Sequence, residues 1–285
     1  MKTGAIIVLY NPDAKHLCSM LETLRASDIF TVVVDNSAFS HAEIFPSHVN
    51  YLHFPENVGI AAAQNAGIIA LRDSGYDAAF VFDQDSHLTQ QLLCGLIAQL
   101  QASIQENPKI AAIGPTVICG FNQTAQIPKL KYAHESGDLI SVSQIIASGM
   151  LIFLAHVNVI GLKDESLFID GVDHEWCWRA RSKGFAILIA KNILMHHKQG
   201  DARHTYFGIT FKRGAPIRLY YQVRNVLKLC RRNYVPIRWK VRNLLALPLR
   251  WVVNRFLFPD GPLRGKYTKL GFRDGIKNRS GKINV

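Results

Sequence analysis

Long apolar runs are missing from this sequence. No uninterrupted stretch approaches the roughly 20 residues of a membrane-spanning helix, so a helical integral membrane protein is not expected. Neither G-x-G-x-x-G nor G-K-[S/T] occurs, which removes the common dinucleotide and P-loop phosphate cradles. The five cysteines are scattered and include no C-x-x-C. An odd, dispersed set reads as reduced thiols in a cytosolic protein, not as a disulfide framework or zinc ribbon. Repeats and low-complexity tracts are absent. The N-terminal apolar run AIIVLY is short, lacks a cleavage site and stops at Asn11-Pro12, as a strand would and a secretory signal would not.

Acid is scarce in one region only. Residues 206–285 hold 19 Lys/Arg against Asp260 and Asp274, a net charge of +17, whereas residues 1–205 sum to −5. The body and the basic C-terminal region therefore call for separate functional arguments. The chain has 285 residues and is 48% hydrophobic, enough to bury a substantial core.

What is present in the first half is alternation. AIIVLY (5–10), FTVVVD (30–35), VNYLHF (49–54), DAAFVFD (77–83) and KIAAIGP (109–115) read as strands. Residues 13–26, 59–75 and 88–105 carry apolar residues at helical spacing. This pattern predicts an α/β fold with a doubly wound, mostly parallel sheet flanked by helices. Such sheets bind ligands at the carboxyl ends of their strands, where the clusters YNP, DNS and DQD fall.

Four segments are candidates for chemistry. In VFDQDS, Asp83 and Asp85 would point to one side if the strand continued, and a divalent cation would offset their repulsion. The alternative is a turn or cap, with Asp85 or Ser86 starting the helix near Thr89. In PENVGIAAAQNAG, Asn57 and Gly59 precede a helix whose N-terminal amides would favour an anion; close helix packing is the alternative. In FIDGVDHEWCWRARSKG, Asp173 lies beside tryptophans, which would partly desolvate a carboxylate and suit a general base. Glu175 and Arg179 there are spaced as an i,i+4 ion pair. In ILMHHKQGDARH, one histidine could be a further ligand to the same cation, or a strand-end histidine bonded to backbone.

YNP, VVVDNS, PENVGIAAAQN, VFDQDS, Ser148-Gly149, VDHEWCWRARSKG and MHHKQGD follow one another in an order that resembles the family 2 inverting glycosyltransferases with the GT-A fold. Within them the chain is similar to bacterial rhamnosyltransferases, in which an F-D-Q-D-S form of the D-x-D motif is typical. The resemblance covers roughly residues 4–225. It implies that Tyr10, Asn11 and Asp35 contact the base and ribose of a nucleotide sugar, and that Asn57, Gly59 and Asn65 line the same pocket. Asp83 would lie near the ribose, and Ser148 and Gly149 would complete the donor site. Asp85, with His197, would hold Mg²⁺ or Mn²⁺ on the diphosphate. Relatives carry E-D before a conserved C-x-R; here Val172-Asp173 stands there, so the acidic pair is reduced to one residue and Asp173 becomes the implied base. The implied donor is dTDP-β-L-rhamnose, the implied product an α-L-rhamnoside.

Two units are expected: a nucleotide-sugar-binding catalytic domain (1–205) and a basic, amphipathic helical C-terminal extension (206–285). In the extension, Trp239, Leu244, Leu245, Trp251 and Phe256 interleave with Arg238, Lys240, Arg242, Arg250 and Arg255. This suits helices lying on an anionic membrane surface, broken into short pieces by Pro236 and Pro248. The enzyme is expected in the cytoplasm, peripheral on the inner face of the membrane, where a lipid-linked saccharide acceptor of polysaccharide synthesis is presented. Packing of these helices on the catalytic domain is the alternative to membrane contact. Another nucleotide sugar is the nearest rival donor. A nucleic-acid-binding role for the basic region is less favoured, since no nucleic-acid motif is present and the aspartates would lack a purpose.

Overall fold

The computed structural model describes residues 1–119, 125–126, 135–197, 202–206 and 209–283. The first half follows the expected alternation: β1 (Thr3–Leu9), α1 (Ala14–Ala26), β2 (Phe30–Asp35), β3 (Asn50–His53), α2 (Ile60–Asp73), β4 (Ala78–Asp83), α3 (Gln90–Glu106) and β5 (Ile110–Cys119). Next come the short strands β6 (Ala125–Gln126), β7 (Glu135–Ser136) and β8 (Leu139–Ser141), then β9 (Met150–Phe153) and the one-turn α4 (Val157–Ile160). After these lie α5 (Val172–Ser182), β10 (Ala186–His197), β11 (Ala202–Tyr206) and β12 (Ile209–Arg213). The chain continues into α6 (Arg218–Cys230), α7 (Ile237–Phe256) and α8 (Gly261–Ile276).

The main sheet runs β3-β2-β1-β4-β9-β5-β10-β8-β7, with β6 paired to β5. Strands β1 to β4 are parallel, as are β5 and β10. Every residue of β1 is buried, because helices cover both faces of a parallel sheet. Ile6 and Val8 enter one core, against Ile68 of α2 and Trp176 of α5. Ile7 and Leu9 enter the other, against Leu24 of α1 and Leu96 of α3.

The sheet departs from a purely parallel layout at β9, which lies antiparallel between β4 and β5. Its register has a consequence for the site. Met150 pairs with Val81, so residues 147–149 lie beside the carboxyl end of β4. Strands β7 and β8 add a further antiparallel edge.

The C-terminal helices pack onto this body. Arg224 of α6 is fully buried, and its Nη2 donates to the carbonyls of Ser166 and Leu167 at 3.2 and 2.8 Å. Asn225 Nδ2 reaches the carbonyls of Leu167, Ile169 and Asp170. Part of the basic charge is thus used inside: Lys228 and Arg264 are also buried, while the half-exposed Arg218 pairs with Asp170 at 2.6 Å. Helix α7 is one 20-residue helix, not the broken pieces expected. Pro236 sits before its first turn, where a missing N–H costs nothing. Pro248 lies inside it, and Leu247 and Trp251 beside that proline turn toward α6 and α8. No helix among the described residues is long and apolar enough to cross a membrane.

Candidate functional site

Tyr10 and Asn11, Asp35, and Asp83 and Asp85 lie at the carboxyl ends of β1, β2 and β4. Gln84 clasps the end of β1 like a strand partner: its Oε1 accepts from Tyr10 N at 2.7 Å and its Nε2 donates to Tyr10 O at 3.2 Å. The Tyr10 ring is left 55% exposed. Asn11 has a positive φ of 48°, and its N–H donates to Ser37 Oγ at 2.8 Å. These two residues therefore form an ordered rim.

Asp35 behaves differently from its expected role. It is fully buried, and both carboxylate oxygens are engaged. Oδ1 accepts from Ser37 N at 2.9 Å; Oδ2 meets His41 Nδ1 at 2.7 Å and Tyr51 OH at 2.8 Å. Burial alone would raise its pKa, but the bonds from Ser37, His41 and Tyr51 outweigh burial and hold the carboxyl below its ordinary value. Asp35 thus shapes the loop after β2 from a position buried away from solvent. Its neighbour Asn36 gives Nδ2 to Gly59 O at 3.2 Å.

The start of α2 is also closed. Asn57 Oδ1 accepts from Gly59 N at 2.9 Å, fixing the turn. Gly59 has φ 88°, and a Cβ there would meet Phe168 O at 2.7 Å, so the position requires glycine. The amide of Ile60 donates to Phe168 O at 2.8 Å, which uses the helix-end donor expected to face an anion. Asn65 lies further along α2. It is buried, with Nδ2 on Lys163 O (2.9 Å) and Glu165 Oε1 (2.8 Å), and Oδ1 accepting from Lys163 N (2.8 Å). Its amide pins the 163–165 segment, and Asn65 shares with Asn57 the lining of a cavity beside α2.

Asp83 and Asp85 do not continue one extended face. The strand ends at Asp83 and turns, with Ser86 N donating to Asp83 O at 3.1 Å. Asp83 Oδ2 accepts from the buried Ser148 Oγ at 2.5 Å. Asp85 stands exposed at the tip of the turn, and no described residue hydrogen-bonds its side chain. The cap of α3 is Thr89, whose Oγ1 accepts from Leu92 N at 3.2 Å.

Asp173 opens α5. Its Oδ2 accepts from Ala147 N at 3.1 Å, and its Oδ1 lies 3.2 Å from Lys163 Nζ. Its side chain is 24% exposed, so the carboxylate is partly withdrawn from water. Lys163, whose Nζ lies 5.1 Å from the Trp176 ring centroid, stands beside the acid as a counter-charge. Ala147 and Ser148 are chain neighbours, so a single turn ties Asp173 to Asp83. Gly149 completes it: φ is 84°, its N–H donates to Val81 O at 3.1 Å, and a Cβ would meet Met195 Sδ at 2.9 Å.

Behind Asp173, Glu175 is fully buried and doubly bonded by Arg179, at 2.8 Å from Nε and 2.9 Å from Nη2. This confirms the i,i+4 pair, but two residues beyond α6 join it. Arg232 Nη1 lies 3.0 Å from Glu175 Oε1, and Tyr234 OH donates to the same oxygen at 2.6 Å. Burial, then the carboxylate of Glu175, pushes the Tyr234 phenol up to about 12, so it remains a donor. Arg232 also pairs with Asp164.

Sequence reasoning missed Lys163, Gln84 and the Tyr234–Arg232 closure. Gln84 lies within a motif already singled out; Lys163 lies in no motif. The backbone of His197 ends β10 opposite Cys119, while its side chain lies outside the described residues. Among the described residues, no three His, Cys, Asp or Glu side chains converge to hold a metal ion. Cys18, Cys94, Cys177 and Cys230 are free thiols.

Known structures share this architecture. GalNAc-T7 with UDP, GalNAc and Mn²⁺ superimposes over 97% of this chain and 56% of its own, with a TM-score of 0.57 at 14% identity. Residues 1–349 of S. aureus TarS, in complex with UDP-GlcNAc, match 98% of this chain and 82% of theirs, with a TM-score of 0.57 at 15% identity. The fold is that of the GT-A glycosyltransferases. No family model matches the chain. In sequence, dTDP-rhamnosyl transferase RfbF of Shigella flexneri is 32% identical over 254 residues, 85% of this chain and 84% of that protein. The chain therefore belongs to the rhamnosyltransferase-like family of GT-A glycosyltransferases.

Proposed function

We propose that this protein transfers L-rhamnose from dTDP-β-L-rhamnose to a lipid-linked saccharide acceptor in bacterial surface polysaccharide synthesis, inverting the anomeric carbon. The likeness to dTDP-rhamnosyl transferase RfbF, 32% identical, supports this donor. The observation that carries the reaction type is the turn at Ala147–Ser148, whose adjacent residues bond Asp173 and Asp83.

Asp173 receives the proton of the acceptor hydroxyl as its oxygen attacks the anomeric carbon. Each carboxylate oxygen is oriented by one protein donor and has a second lone pair for that proton. The glycosidic bond to dTDP breaks from the opposite face, and one displacement inverts the centre. Lys163 holds Asp173 in a fixed orientation. Tyr10 and Asn11 form the nucleotide rim, Asp35, Asn57 and Gly59 shape the loops behind it, and Ser148 and Gly149 hold Asp83 toward the donor.

Mg²⁺ or Mn²⁺ fits Asp85, an exposed hard-oxygen ligand with no described protein partner, because such ions bind through one or two carboxylates plus substrate phosphates. His197 is the second ligand in this reading. A bound ion would neutralise charge on the leaving diphosphate. The exposed apolar and basic residues of α7 support contact with an anionic membrane surface on its inner, cytoplasmic side, with α6 fixing that helix to the catalytic body.

A donor panel tests the proposal. Nucleoside diphosphate release would be followed with dTDP-rhamnose, UDP-GlcNAc, UDP-glucose and GDP-mannose in Mg²⁺ or Mn²⁺. The expected result is a preference of at least about tenfold in kcat/KM for dTDP-rhamnose, about 1.4 kcal/mol of discrimination. A preference for another donor would reassign the sugar, and no release from any donor would overturn the activity.

A further inference from the structure

A cavity of about 370 Å³ lies between the three C-terminal helices. Its wall is made by Val223 of α6, Leu247, Pro248 and Trp251 of α7, and Thr268 and Phe272 of α8. The cationic side chains at its edge are Lys269 and Arg273. Lys269 is exposed, and Arg273 uses Nε to hold Asp274 at 2.9 Å while its side chain stays 51% exposed.

The cavity opens beside an unusual surface. Along α7, Ile237, Val241, Leu244, Leu245, Val252 and Phe256 recur at helical spacing and all face solvent; Leu245 is 75% and Phe256 63% exposed. Pro248 belongs to both features, being exposed on α7 and part of the cavity wall. An apolar stripe thus leads without interruption into an apolar hole with a cationic lip.

We infer that this cavity holds the hydrocarbon chain of a phosphate-bearing membrane lipid, with Lys269 and Arg273 meeting the phosphate. This rests on the lipid-linked acceptor reading and assigns that acceptor a lipid subsite. A neutral apolar ligand fits worse, because it would leave Lys269, exposed at the rim with no acidic partner among the described residues, without a counter-charge. The position also suits an acceptor. Trp239, in the first turn of α7, packs edge-on against Trp178 of α5 at 5.1 Å, in the helix that begins with Asp173. From Trp239 to the cavity is about 15 Å along α7, the rise of some ten residues.

The test uses the full chain and decyl phosphate below its micellar concentration, with decanol and inorganic phosphate as comparators. Binding is read from tryptophan fluorescence, with Trp251→Phe identifying the responding residue. The expected result is saturable binding of decyl phosphate, weakened about tenfold by Lys269→Glu and abolished by Thr268→Trp, which fills the cavity. Leu247→Glu gives the same loss should Thr268→Trp fail to fold. Absence of saturable binding overturns the inference. So does equal binding of decanol unaffected by Lys269→Glu, or a concentration-dependent dimer that Thr268→Trp abolishes. dTDP release from dTDP-rhamnose without acceptor is measured in the same samples. Lost lipid binding with intact release sinks the subsite alone; intact binding without release sinks the proposed activity alone.

Discussion

Lys163 has no exposed side-chain surface, and its ammonium lies 3.2 Å from Asp173 Oδ1. Removing one partner of such a pair leaves an uncompensated charge, whereas replacing both removes the problem. Asp173→Asn is therefore predicted to destabilise the protein by up to about 3 kcal/mol, tempered because Asp173 keeps some water contact. The double variant Lys163→Met/Asp173→Asn should recover most of that stability in urea unfolding while remaining inactive. Recovery of activity in the double variant would show that Asp173 acts through folding and not through chemistry.

Glu175 makes a second prediction. Its buried carboxylate is neutralised by Arg179 and Arg232 and bonded by Tyr234. Truncation after residue 230 removes Arg232 and Tyr234, so it should unfold or aggregate the chain instead of yielding a soluble catalytic domain. Tyr234→Phe, which removes one hydrogen bond to a charged group, should cost about 1.5–3 kcal/mol by thermal or urea unfolding. A well-folded truncated protein would contradict this.

The elements that could be read from sequence share a physical cause. Strands β1, β2 and β4 are buried on both faces, so AIIVL, FTVVVD and AAFVF are continuous apolar runs ending in polar turns. Asp83, Asp85 and Asp173 stood out because carboxylates at strand and helix ends need a reason. Lys163 gave no such signal: its partner is ten residues away across a loop where Phe168 and Asp170 take positive φ. The inserted strand β9 was hidden because Met150–Phe153 has no turn signature to fix its direction. The closure of Asp35 by Tyr51 and His41 depends on pairing between β2 and β3, a tertiary fact. Pro248 misled because its helix is held by neighbours, which local propensity does not contain.

Asp35 predicts a pH dependence. Its folded pKa lies below the ordinary 3.8, because hydrogen bonding outweighs the burial that would raise it. A depressed carboxyl stabilises the fold fully above its unfolded value, and that contribution disappears as pH falls through the folded value. Asp164 and Asp274 are shifted in the same direction. Stability should therefore fall as pH drops below about 3.8. Asp35→Asn should cost about 1.5–3 kcal/mol at pH 7 and less at pH 3. Parallel stability curves for the two proteins across this range would refute the assignment.

The exposed stripe on α7 gives a cleaner membrane test than truncation. Leu245→Glu/Phe256→Glu changes two solvent-facing side chains, so unfolding midpoints should hardly move. Flotation with anionic phosphatidylglycerol vesicles should fall at least about tenfold, as expected for losing two anchors of an interfacial helix. Unchanged flotation would remove the membrane-surface reading.

The most direct measurement is dTDP release from dTDP-β-L-rhamnose by wild type, Asp85→Ala and Asp173→Asn, each with Mn²⁺ and with excess chelator. Loss of a general base predicts a fall of about 10²- to 10⁴-fold for Asp173→Asn in an acceptor-dependent assay. Asp85→Ala should resemble chelated wild type, with both nearly inactive. Turnover by Asp85→Ala in chelator at the wild-type rate would contradict the site proposed at the end of β4.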